Sequence, residues 1–212
     1  MKIVSTYLFD LDGTLIDSMP TYMAVMLHFL DEHNIKYEND IIKAITPLGY
    51  KGTAEYYKNL GVKLSVDDIV KQLKSEIQKE YEYNIPAKKN VISVLNYLKA
   101  RGDRLNVLTA SPHEMLDPCL KRLGVFNLFD NVWSCDDFSL KKSDEQIYVQ
   151  SANRIGINIE SIIFLDDNLL ALKTAKRAGM RIFGVYDQSS EEYADEIKQM
   201  SEKYVVDFIS IL

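Results

Sequence analysis

At 212 residues, 47% hydrophobic and 26% charged, the chain has ordinary globular composition and the length of one large domain or a domain with an insertion. Net charge is −6, and no cluster of Lys and Arg is dense enough to point to nucleic acid or an anionic lipid as partner. Two cysteines, Cys119 and Cys135, are too few for a disulfide framework and read as buried reduced thiols; no run reaches transmembrane length, the first residues do not form a signal peptide, and a cytoplasmic protein is expected.

The first predicted element is a short apolar strand, Ile3 to Phe9, ending in Asp10-Leu11-Asp12-Gly13-Thr14-Leu15-Ile16-Asp17-Ser18. Two carboxylates at the end of a buried strand are costly unless something pairs with them, and a divalent cation is a natural partner. From Ser18 to about residue 84 the pattern is helical. Met23, Met26, Leu27 and Leu30 recur at helical spacing, as do Ile41, Ile42 and Ile45. Gly49 to Thr53 reads as a break, Ala54 to Leu60 as a resumed helix, and Ser65 as the cap of a helix carrying Ile69, Val70, Leu73 and Ile77.

From Pro86 the character changes. A helix through Val91, Val94, Leu95 and Leu98 ends at Gly102. Strands are predicted at Arg104 to Thr109, Asn131 to Ser134, Ser161 to Leu165 and Arg181 to Val185. Helices are predicted at Pro112 to Leu123 (bent by Pro118), Asp144 to Ile155, Leu169 to Ala178 and Glu191 to Glu202. Ser143 to Gln146 has capping-box spacing.

Strand–helix alternation predicts an α/β fold, a Rossmann-like doubly wound parallel sheet with right-handed crossovers. The all-helical block interrupts it after the first strand. The expected organisation is a core of residues 1–16 plus 85–212 with an inserted helical cap at 17–84. Ligands of such sheets bind at the carboxyl ends of the strands. There stand Asp10 and Asp12, then Thr109-Ala110-Ser111, then Lys141-Lys142, then Asp166-Asp167-Asn168. Together they offer a carboxylate nucleophile, a metal cradle, a phosphate donor and a cation. Singly each has a bland reading: a cap for Thr109, a solvated surface for the lysines, dipole stabilisation for the acid pair. An EF-hand is excluded, because its sixth position would be Leu15 and its twelfth Thr21.

In order and spacing the chain resembles the haloacid dehalogenase-like superfamily of phosphohydrolases, most clearly members of the phosphoglycolate phosphatase and beta-phosphoglucomutase type. Asp10 to Leu15 match the first family motif, Thr109 the second, and Asp166-Asp167 through Ala178-Gly179-Met180 the fourth. The third motif, Lys-Pro-x-Pro-Asp-x-Tyr, is degraded: counting back from Ile147-Tyr148 places its lysine at Lys142, with Lys141 as rival, and Ser143 and Glu145 replace the prolines. The position of a further acid in the fourth motif is Ala171.

The resemblance implies a Mg²⁺-dependent phosphatase acting on a small-molecule phosphate monoester through an aspartyl-phosphate. It implies Asp10 as nucleophile and Asp12 as proton carrier. Gly13, Thr109, Ala110 and Lys142 would serve the phosphate. Asp10, the Asp12 backbone carbonyl, Asp167 and Asp166 would serve the metal. Asp12 points away from dehalogenation, which needs no second acid. The alternative is a phosphomutase of the beta-phosphoglucomutase type; a receiver-like signalling protein or a non-catalytic binding protein fits less well, since receivers carry the acid pair first. His113 and Lys51 are conceivable substrate contacts, with exposed surface the blander reading of each. The cap tyrosines read as packing, and oligomeric state is open.

Overall fold

The structure, a computed structural model, describes residues 4–38 and 40–212. The chain divides into two compact units, Met1–Asp17 with Ile85–Leu212, and Ser18–Asn84. Strand β1 (Thr6–Phe9) opens the first; the Ile3 end of its expected range lies outside the described residues. The second unit holds α1 (Met19–Glu32), α2 (Ile41–Ile45), α3 (Gly49–Leu60) and α4 (Val66–Tyr83). The first unit resumes with α5 (Val91–Arg101), β2 (Arg104–Thr109), α6 (His113–Arg122), β3 (Asn131–Ser134), α7 (Glu145–Ile155), β4 (Ile162–Asp166), α8 (Leu169–Ala178), β5 (Arg181–Val185), α9 (Ala194–Met200) and β6 (Lys203–Val205).

In the helical unit, α4 buries Ile69, Leu73, Ile77 and Tyr81 at four-residue spacing, and Ser65 Oγ accepts the Asp68 amide as its cap at 3.1 Å. Buried Tyr57 of α3 stacks on Phe29 of α1 and donates its hydroxyl to the Met26 carbonyl at 2.8 Å. The expected break at Gly49 to Thr53 is instead the start of α3. Gly49 opens it at φ +63°, a conformation natural to glycine. Lys51 is exposed on that first turn. Tyr57 and Tyr81 are packed as expected, whereas Tyr83 is 64% exposed.

Among the described residues the sheet has six strands, all parallel, in the order β3-β2-β1-β4-β5-β6. The chain moves outward from β1 through β2 to β3, then returns to β1's other side for β4. The topological switch point therefore falls between β1 and β4. Neighbouring residues of β1 face opposite ways. Leu8 packs with Leu108, Phe164, Ile182 and the buried faces of α7 and α8. Tyr7 and Phe9 stack on the other face, where Phe9 meets Phe129 and Phe208.

Several boundaries differ from the sequence reading. Helix α7 is capped by Asp144, whose side chain accepts the Gln146 amide at 2.9 Å, and not by Ser143. The predicted helix Glu191 to Glu202 is a 3-10 stretch, Gln188–Tyr193, followed by α9, and β6 was not foreseen. Cys119 and Cys135 are free and buried, and burial pushes the Cys119 thiol up to about 11. Among the described residues no helix is long and apolar enough to cross a membrane.

Candidate active site

The two central strands end together. The Asp10 amide donates to the Leu165 carbonyl at 2.9 Å, so the ladder carries the chain one residue past β1 and sets Asp10 beside Asp166. A tight turn follows, with the Leu15 and Ile16 amides both donating to the Leu11 carbonyl. It turns through Gly13 at φ +74°, a left-handed conformation natural to glycine. Asp10, Asp166 and Asp167 are buried, and one carboxylate oxygen from each lies within 4.8 Å of the others. Thr14 Oγ1 donates to Asp167 at 3.3 Å.

Lys142 reaches this cluster from the loop before α7. Its ammonium donates to Asp10 and, at 2.9 Å, to Asp166. Tyr148 fixes that loop with its hydroxyl between the Lys142 and Ala171 carbonyls, at 2.9 and 3.1 Å. Lys141 is exposed. On the β2 side, buried Thr109 Oγ1 accepts the Ser111 amide at 3.1 Å, and Ser111 Oγ donates to the Asp12 carboxylate at 2.6 Å. Ala110 is exposed between them. The sheet thus brings Asp10, Asp12, Gly13, Thr109, Ala110, Lys142, Asp166 and Asp167 to one edge. The Asp12 side chain is outside the three-carboxylate group.

Two residues that the sequence reading left unassigned join them. Ser111 adjoins Thr109 and carried a local signal. Lys88 carried none: it is half-buried, donates to the Gly13 and Tyr186 carbonyls, and pairs with Asp187 at 2.8 Å. The acid pair does not cap α8. Asn168 does so, through the Ala171 amide at 3.1 Å, while Asp166 accepts the Asn168 amide at 2.7 Å.

Burial, reinforced by Asp166, Asp167 and Asp12, raises the Asp10 pKa against the opposing pull of Lys142. Asp167 is pushed up to about 8, by burial first and then by Asp166 and Asp187. Burial works against the Lys142 ammonium, yet Asp10 and Asp166 more than offset it, and its pKa is raised. Fully ionised, three buried carboxylates would carry more negative charge than the one ammonium touching them offsets. All-oxygen donors and surplus negative charge suit a hard divalent cation, so the residues fit such an ion.

Comparison with known proteins agrees with this architecture. The family model for haloacid dehalogenase-like hydrolases matches residues 7–185. Pyrophosphatase PpaX of Bacillus velezensis is 28% identical over 187 residues, covering 87% of this chain and 84% of its own. A phosphorylated carbohydrates phosphatase of Thermotoga maritima is 24% identical over 180 residues, covering 84% and 83%. A solved structure from Thermotoga maritima, provisionally named a beta-phosphoglucomutase, superposes with TM-score 0.84 at 20% identity over 98% of both chains. With a family match across most of its length, a switch-point cluster of acids and the fold to carry it, this chain belongs to the haloacid dehalogenase-like hydrolases.

Proposed function

We propose that the chain is a Mg²⁺-dependent phosphatase for a small phosphate monoester of the phosphoglycolate or sugar-phosphate class, working through an aspartyl-phosphate on Asp10. The observation that carries this reading is the placement of Asp10: a buried carboxylate at the switch point, flanked by Asp166 and Asp167 and touched by Lys142. The names of the curated relatives, a pyrophosphatase and a phosphorylated carbohydrates phosphatase, support hydrolysis over transfer to a second hydroxyl.

In the first step an Asp10 carboxylate oxygen bonds to phosphorus as the bond to the leaving oxygen breaks, and Asp12 gives that oxygen its proton. In the second, water bonds to phosphorus, its proton passes to Asp12, and the bond to Asp10 breaks to release inorganic phosphate. Lys142 and the Thr109 hydroxyl hold the phosphoryl oxygens, where fixed donors are worth most. Thr109 accepts from the Ser111 amide and keeps its own hydrogen for donation. Asp10, Asp166, Asp167 and the Asp12 carbonyl would hold the cation, which supplies Lewis-acid neutralisation of the phosphate charge. The helical unit would act as a cap and set substrate choice.

The test is turnover of a panel of phosphate esters with and without Mg²⁺. Asp10→Asn abolishes turnover while the protein stays folded. Substantial remaining activity would remove Asp10 from the nucleophile role.

A further inference from the structure

His113 is the first residue of α6, two residues beyond Ser111, and both its ring nitrogens face carboxylates. Nδ1 lies 2.8 Å from Asp117, one turn on in the same helix. Nε2 lies 2.8 Å from Asp137, which belongs to the 3-10 turn Cys135–Phe138 that follows β3. An ionised carboxylate only accepts hydrogen bonds, so both nitrogens must donate, and a ring with two N–H groups is an imidazolium.

Each acid is itself anchored. The Asp137 oxygen that meets His113 also accepts the Ser134 amide at 2.9 Å, and the Asp137 carbonyl accepts from Arg154 of α7 at 2.9 Å. The other Asp117 oxygen lies 3.8 Å from Lys121. The ring therefore ties the start of α6, which continues the Thr109-Ala110-Ser111 segment, to the turn from which the chain runs on to Lys141-Lys142.

We propose that His113 is a positioning residue, an imidazolium clasp that holds Thr109 and Ser111 in register with Lys142 around a bound phosphate. This rests on the phosphatase reading above. Hydrogen bonds to Asp117 and Asp137 raise the histidine pKa above its ordinary value, against the opposing effect of burial. A histidine with a raised pKa makes its contribution below the ordinary value of about 6.5 and loses it as pH rises through the folded value. The clasp is therefore closed below the ordinary histidine value and opens as pH rises through the folded value. Its side chain is 43% exposed, so salt weakens it too.

Two measurements on the whole protein test this. NMR titration of the His113 ring, assigned with His113→Gln, is expected to show it protonated above the ordinary histidine range. Calorimetry of inorganic phosphate binding in Mg²⁺ then compares wild type with His113→Gln and Asp137→Asn across that range. Both variants bind phosphate roughly three- to thirtyfold more weakly where the wild-type ring is charged, and the ratio approaches one where it is neutral. The ratio removes the ionisation of phosphate itself.

A ring that titrates at or below the ordinary value overturns the clasp, as does a variant-to-wild-type ratio that is flat across pH. If His113→Gln does not fold, Asp137→Asn and the wild-type titration carry the test. Phosphate bound normally by both folded variants overturns the clasp and leaves the phosphatase reading standing. Wild type that binds no phosphate overturns both.

Discussion

Gly13 lies against the carboxylate of Asp167: a Cβ at Gly13 would stand 2.7 Å from Asp167 Cγ and from both its oxygens. The family resemblance gives this glycine to the phosphate; in the structure it also lies against Asp167, the acid that follows β4. Gly13→Ala carries two penalties, a left-handed backbone worth about 1–2 kcal/mol and displacement of Asp167. Thermal unfolding is expected to record the first. The second is read as a loss of turnover of about a hundredfold or more, with weaker Mg²⁺ activation.

Ser111 donates to the Asp12 carboxylate. Removing the hydroxyl in Ser111→Ala deletes a 2.6 Å hydrogen bond to the carboxylate proposed to carry the proton. The fold loses only about 1 kcal/mol. The expected signature is kcat reduced about tenfold with KM nearly unchanged, because orientation of a proton carrier counts mainly in the transition state. A change confined to KM would place Ser111 on the substrate instead.

Half-buried Lys88 pairs with buried Asp187; their side chains are 16% and 5% exposed. Burial alone would raise the Asp187 pKa, but Lys88 and Ser189 more than offset it and hold the pKa below the ordinary value. A depressed carboxylate pKa supplies stability above about pH 4 that is lost as pH falls through the folded value. Lys88→Met is expected to cost about 1–3 kcal/mol at neutral pH, by leaving this carboxylate with its Ser189 donors but no cation and two carbonyls without their lysine donor. The deficit shrinks in acid, as Tm measured against pH will show.

Metal removal has a pH signature of its own. Asp167, pushed up to about 8, and Asp10, also raised, resist ionisation without a cation. A raised carboxylate pKa makes the metal-free fold lose stability as pH climbs from about 4 to about 8. Adding Mg²⁺ is therefore expected to raise Tm more at about pH 8 than at about pH 5, with protons released on binding. An equal shift at both pH values would argue against the buried acids as the site.

Much of the fold was legible. Strands β2, β3 and β5 and helix α8 occupy the residues read for them; for β2 and β5 this is because buried parallel strands are short apolar runs, and for α8 because a helix flanked by a cap and a glycine declares its ends. Strand β6 was not legible. It is a three-residue edge in which only Val205 is buried, too short to show alternation. Ser143 looked like a cap because spacing alone cannot tell it from Asp144, whose side chain takes the amide.

The order of chemistry along the chain is written in its residues alone: an acid pair at the end of the first strand, a hydroxyl, a lysine pair and a second acid pair further on. These are local facts, written in short-range periodicity and in what stands at each strand end. Long-range packing selects which lysine enters the acid cluster and brings Ser111 to Asp12, Lys88 to Gly13 and Asp137 to His113. Those partners lie 132, 99, 75 and 24 residues apart. These pairings follow from a strand order that sets β1 between β2 and β4 and places β3 beside β2, so that the loops after these strands meet.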